Sequence, residues 1–183
     1  MLSQKKFISG MEILKAAYID FKFDTSNEMQ VKVWYSVFKN LSDEAFISMI
    51  KEYYPINQHP PKCPRDLTVI IVDRIVADEK IKPEAALNTV REIVSNCGGW
   101  DYGGRAEIYQ ALKKHPALYD TVHEFEAELR RMNIDDTYTA DRFRKAYEVK
   151  LRAGAIRQVD TALGLKVTDN SNLLGAGFLP SEI

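Results

Sequence analysis

The sequence predicts an all-α protein: two small helical domains joined by a short polar hinge and followed by a flexible C-terminal tail. Three observations predict it. Apolar residues recur at steps of three and four along nearly every long segment. Proline and glycine clusters punctuate those segments at intervals suited to helix lengths. From about Asp160 onward the periodicity fails, and the chain becomes rich in glycine and poor in charge. The expected division is 1–78 and 83–159 for the two helical domains, with 160–183 as the tail.

Phe7, Ile8, Met11, Leu14, Ala17 and Tyr18 make the apolar face of a first helix. Asp20 to Ser26 breaks the pattern and offers Asp24, Thr25 and Ser26 as caps. Val31, Trp34, Tyr35, Val37 and Phe38 form a second, aromatic-rich helix whose aromatics belong in the core. Ser42 caps a third, which turns Ala45, Phe46, Met49, Ile50 and Tyr53 inward. The prolines of Tyr54 to Pro61 exclude helix there. Pro64 opens a fourth helix as an early-turn residue, continued by Leu67, Ile70, Ile71, Arg74 and Ile75. The segment ADEKIK, Ala77 to Lys82, is the polar hinge. Pro83 starts a fifth helix with Ala86, Leu87, Val90, Ile93 and Val94 inward. Glycines at 98–104 stop it. Arg105 to Lys114 forms a short helix, and Pro116 to Met132 another, with Leu118, Val122, Phe125 and Leu129. Asn133 is suited to end that helix in the left-handed conformation. Thr137 or Thr139 caps a last helix carrying Phe143, Ala146, Tyr147 and Ile156.

The bulk composition narrows the function. The 183 residues are 45% hydrophobic and 28% charged, with a formal net charge of −1. This is the composition of an ordinary globular protein with a core of its own. No whole-protein field draws it to nucleic acid or anionic membrane, so any such contact needs a local patch. Cys63 and Cys97 lack metal-ligand spacing, and His59, His115 and His123 are scattered. The N-terminal apolar positions are interrupted by Ser9, Glu12, Lys15 and Asp20, so no signal-peptide core is present. No membrane span, no cofactor and a reducing, cytoplasmic setting are the expectations.

Motifs for chemistry fail one by one. The glycine cluster GGWDYGG is followed by Arg105 and Ala106, not by the Gly-Lys-Ser/Thr of a phosphate loop. It reads as an interhelical loop around Trp100 and Tyr102. His123-Glu124 begins like a zinc-protease motif, but Ala127 stands at the second histidine position. Asp135, Asp136 and Asp141 lack the glycine and terminal glutamate of a calcium loop. Glu124, Glu126 and Glu128 alternate along a helix and face different ways. An enzyme is therefore not expected.

Two features point to macromolecules instead. Between Arg142 and Arg157 six basic residues stand against Glu148 alone. Arg142, Arg144, Lys145 and Arg152 are the candidate nucleic-acid contacts in that stripe, against the plainer reading of a solvated helix face. In the tail, Leu173, Leu174, Phe178 and Leu179 either fold back or insert into a partner groove as a short motif. Tyr53 and Tyr54, beside the proline-rich loop, form a possible exposed rim.

The N-terminal segment resembles the helicase loader/inhibitor family encoded by bacteriophages of Gram-positive bacteria. The residues that carry the likeness are the first amphipathic helix, Trp34-Tyr35, Leu41 to Ile50, and Pro60-Pro61 before another helix. The later segment is similar to longer phage members in Val90 and Ile93, Gly98 and Tyr102, Ala111-Leu112, and Arg142, Phe143 and Tyr147. It departs in Asn133, where a glycine is expected, and in the doubled glycines around Trp100. The likeness spans about residues 5 to 158 and rests on core residues and turns.

The resemblance implies a small, non-enzymatic helical protein without nucleotide-binding motifs. Such a protein binds the hexameric replicative DNA helicase, holds it inactive, and delivers it to DNA through an origin-binding initiator protein. It also implies helicase binding by the C-terminal segment, which by position places Leu173, Leu174, Phe178 and Leu179 in that role. Without an ATPase loop, loading must work by preferring one conformational state of the hexamer, with a tail motif adding affinity by linkage. The alternative is a helical DNA-binding accessory protein of phage replication or packaging.

Overall fold

The computed structural model describes residues 1–101, 103–131 and 137–165. Every regular element among them is a helix: α1 (Gln4–Ala17), α2 (Glu28–Phe38), α3 (Asp43–Ile56), α4 (Pro64–Asp78), α5 (Pro83–Asn96), α6 (Gly104–Leu112), α7 (Pro116–Arg131) and α8 (Thr137–Leu163). The chain forms two compact units. Among the described residues, one comprises positions 1–64 with 157–165, and the other lies within positions 65–156. The division thus falls at Pro64 and Arg157, while the polar segment 77–82 lies inside the second unit. The reason is Ile81, an apolar residue amid polar neighbours. Its side chain joins the core of that unit, and its carbonyl accepts a 3.0 Å hydrogen bond from the buried Tyr147 hydroxyl.

The first unit is built around aromatic rings. Phe7, Met11 and Leu14 of α1, Phe38 of α2, and Phe46, Met49 and Ile50 of α3 are almost wholly buried. Phe7 and Phe46 lie 5.6 Å apart between centroids, and Phe38 and Phe46 5.3 Å. The segment between α1 and α2 supplies Phe21 and Phe23, which pack edge-on against Trp34. Gly10 is buried where α1 passes α3, and a Cβ there would sit 2.5 Å from the Phe46 ring. Only a residue without a side chain allows that approach.

The ends of these helices are closed by side chains. Ser3 Oγ accepts from the Lys6 amide, and Ser42 Oγ from the Ala45 amide. The cap of α2 is Asn27, whose Oδ1 accepts from the Gln30 amide, one residue beyond the Asp24–Ser26 group expected to cap it. Asp24 instead braces the preceding turn by accepting from the Ser26 amide. The Ser3 amide and hydroxyl both donate to Asp43, and those bonds hold its carboxyl below the ordinary range. α3 continues through Pro55 to Ile56, although the proline cluster predicts a stop at Tyr54. The ring sits in the last turn, where it gives up one intrahelical bond but no further turn has to follow, and both the backbone and side-chain amides of Asn57 donate to the Tyr53 carbonyl. Tyr53 is buried and Tyr54 exposed, so only one of that pair reaches the surface.

The second unit packs α5 to α8 around Leu87, Val90, Ile108, Leu112, Leu118, Val122, Phe125, Phe143, Tyr147 and Leu151. α5 ends in a left-handed glycine turn. Gly98 has φ +78°, its amide donates to Ser95, and the Gly99 amide donates back to the Val94 carbonyl. α8 ends the same way at Gly164, with the Leu165 amide on the Asp160 carbonyl. Val159, Asp160 and Leu163 are buried, so this helix runs on past the point where its apolar period fades. Among the described residues no helix is long and apolar enough to cross a membrane.

Candidate macromolecular interface

α8 carries the basic residues singled out in the sequence. At about 100° per residue, Phe143, Tyr147 and Leu151 point into the core, and Arg142, Lys145 and Arg152 fall on the opposite, exposed face. Arg144 does not join them. It faces a shallow groove beside Glu84, Asn88 and Arg91 of α5. The structure therefore brings together three of the four predicted contacts.

Each of the four already has a partner. Arg144 lies 3.0 Å and Lys145 3.7 Å from Asp141 on the same helix. Arg152 is 2.9 Å from Asp73 of α4, and the neighbouring Lys150 is 2.8 Å from Glu124 of α7. Arg142 lies over the rings of Phe125, at 5.4 Å, and Tyr138, at 5.7 Å. Counting charge within residues 142–157 sees only Glu148. The acids that offset the stripe are Asp141, just outside that window, and Asp73 and Glu124, far away in sequence. Exposed pairs of this kind contribute about 0–1 kcal/mol each and exchange readily, so the face remains able to meet an external anion.

A second cluster has no sequence signature. The Glu126 carboxylate on α7, with its side chain 15% exposed, gathers three donors. Tyr109 Oη and Arg105 Nη2 from α6 donate to one oxygen at 2.6 and 2.8 Å, and Arg130 Nη2 to the other at 2.7 Å. Arg105 also stacks on Tyr109, and Arg130 on Trp100. Burial alone pulls the Glu126 carboxyl upward. The Tyr109 hydrogen bond and the two arginines outweigh it and hold the group below its ordinary range. Burial first, and then Glu126, push the Tyr109 hydroxyl up to about 12. Burial and the charge of Glu79 do the same to Tyr147. The only hint of this cluster in the sequence is the i, i+4 spacing of Glu126 and Arg130.

The remaining motifs resolve into structure. The glycines of 98–104 serve a tight chain reversal. A Cβ on Gly104 would lie 2.2 Å from the Gly99 carbonyl oxygen. Trp100 is half-buried under Arg130, and Tyr102 lies outside the described residues. His123 and Glu124 are exposed on α7. No group of three His, Cys, Asp or Glu side chains among the described residues could hold a metal, and Asp135 and Asp136 fall outside them. So do Leu173, Leu174, Phe178 and Leu179, the predicted helicase contacts. No family model, curated protein or solved structure matches this chain.

Proposed function

We propose that this chain is a non-enzymatic binding protein of phage DNA replication, which binds the hexameric replicative helicase and delivers it to DNA in the host cytoplasm. The sequence likeness carries the reading. Its pattern residues Trp34, Phe46 and Ile50, and Val90, Phe143 and Tyr147, are core residues of compact helical units. The surface of the second unit offers binding groups in the exposed cations of α8. An origin-binding initiator is the further partner this role requires.

The test is capture by the tagged full-length protein from phage-infected host lysate, followed by reconstitution with purified helicase. A stoichiometric helicase complex, weakened by deleting residues 166–183, is the expected result. A lysate yielding other proteins or DNA and no helicase overturns it. A complex indifferent to the deletion removes Leu173, Leu174, Phe178 and Leu179 from the account.

One observation favours a second reading, a DNA-binding accessory protein: Arg142, Lys145 and Arg152 share one exposed face. It requires duplex DNA affinity that falls steeply with salt. Replacing Arg142, Lys145 and Arg152 by alanine should then weaken binding and flatten that slope. An unchanged slope reduces the stripe to a solvated face.

A further inference from the structure

The outward face of α8 carries more order than phosphate binding uses. Tyr138, Arg142, Lys145, Val149, Arg152 and Ile156 are all exposed, and they follow one another at alternating steps of four and three residues. That spacing lets one helix present a continuous seam to another. The seam is about 27 Å long at about 1.5 Å per residue. Tyr138 is 72% exposed, Val149 50% and Ile156 38%, so half the seam is apolar or aromatic surface left to solvent. Ala146 and Ala153 border it on one side and admit close approach. Asp141 and Glu148 border it on the other.

We propose that this seam docks an acidic amphipathic helix of a partner protein, whose aliphatic side chains cover Val149 and Ile156 and whose carboxylates meet Arg142, Lys145 and Arg152. Charge selects this occupant. A second copy of the seam would set cations against cations. A nucleic-acid backbone gains from the three cations but nothing from Val149 and Ile156. An acidic amphipathic helix uses both the three cations and the two aliphatic positions. The existing contacts do not bar it. Lys145–Asp141 and Arg152–Asp73 are exposed pairs that an incoming carboxylate replaces at small cost. Arg142, over the rings of Phe125 and Tyr138, remains exposed.

The inference rests on reading the chain as a binding protein, but not on which protein it binds. Its test is therefore separate from helicase capture. The full-length protein is titrated against a labelled synthetic peptide of about three heptads, with leucine and glutamate set to complement the seam. Controls are a scrambled peptide of the same composition and a duplex oligonucleotide. Saturable binding at least about tenfold tighter than to the scrambled peptide is expected. Val149→Ser with Arg152→Glu should abolish it while leaving the circular dichroism spectrum unchanged. Arg142→Glu with Lys145→Glu and Arg152→Glu should transfer binding to the lysine version of the peptide. Equal binding of the scrambled peptide, binding of the oligonucleotide alone, or self-association through the seam each overturns the proposal, as does no binding at all.

Discussion

Two regions of the second unit carry the same kinds of side chain and put them to opposite uses. Around Glu126, two arginines and a tyrosine converge on one carboxylate that is nearly out of solvent. Along the outer face of α8, arginine and lysine pair singly with acids that are themselves half exposed. The first arrangement spends its hydrogen-bonding capacity inward and joins α6 to α7. The second leaves its capacity at the surface, where another molecule can compete for it. Depth and convergence, and not the count of charges, separate a brace from a binding face.

The sharpest way to break this comparison is to remove one acid from each region. Glu126→Ala should lower the unfolding free energy in urea by about 1.5 kcal/mol, because half-buried Tyr109 loses its acceptor while Arg105 and Arg130, both well exposed, turn to solvent. A loss no larger than that of an exposed surface pair would show that the cluster is no brace. Tyr109→Phe comes next, at about 1 kcal/mol for one lost hydrogen bond. Asp73→Ala should come last, at ~0.5 kcal/mol or less, with a melting temperature close to the parent's.

Acid and alkali sharpen it further. Glu126 titrates below its ordinary value in the folded chain, so its contribution is present at neutral pH and is lost as the pH falls through the folded value. Glu126→Gln should remove that part of the acid loss. Tyr109 titrates higher when folded than its ordinary 10.0, up to about 12. Its contribution is whole below pH 10 and drains away as the pH rises towards about 12. Tyr147 follows the same course. Tyr109→Phe should therefore flatten part of the alkaline decline, read from unfolding midpoints across that window, while Arg152→Ala leaves both limbs unchanged.

Helices were legible where the apolar period is strong and a proline or serine marks the start. Ser42, Pro64 and Pro83 open α3, α4 and α5 as expected, and the α8 core residues Phe143 and Tyr147 are buried. Reading was poorer where a local signal competes with distant packing. Pro55 reads as a stop, yet Asn57 closes the turn that it weakens. The hinge ADEKIK reads as a linker because five of its six residues give no clue to the one that matters, Ile81. Of the candidate interface, sequence showed that α8 is basic but misread its faces: Ile156, expected beside Phe143 and Tyr147, is exposed on the opposite side, and Arg144 turns away from Arg142, Lys145 and Arg152. It could not show that Asp73 and Glu124 fold up against that helix, since pairing between helices depends on tertiary contacts that no local window contains.

Gly10 constrains descent as well as packing. With the Phe46 ring in the way of any Cβ, position 10 cannot drift alone. Alanine at 10 demands a smaller or displaced side chain at 46, and a larger ring at 46 leaves glycine as the sole tolerated residue at 10. Related chains that carry a side chain at 10 should therefore also carry a smaller residue at 46, a paired signature that survives when helix surfaces and loop lengths have diverged beyond recognition.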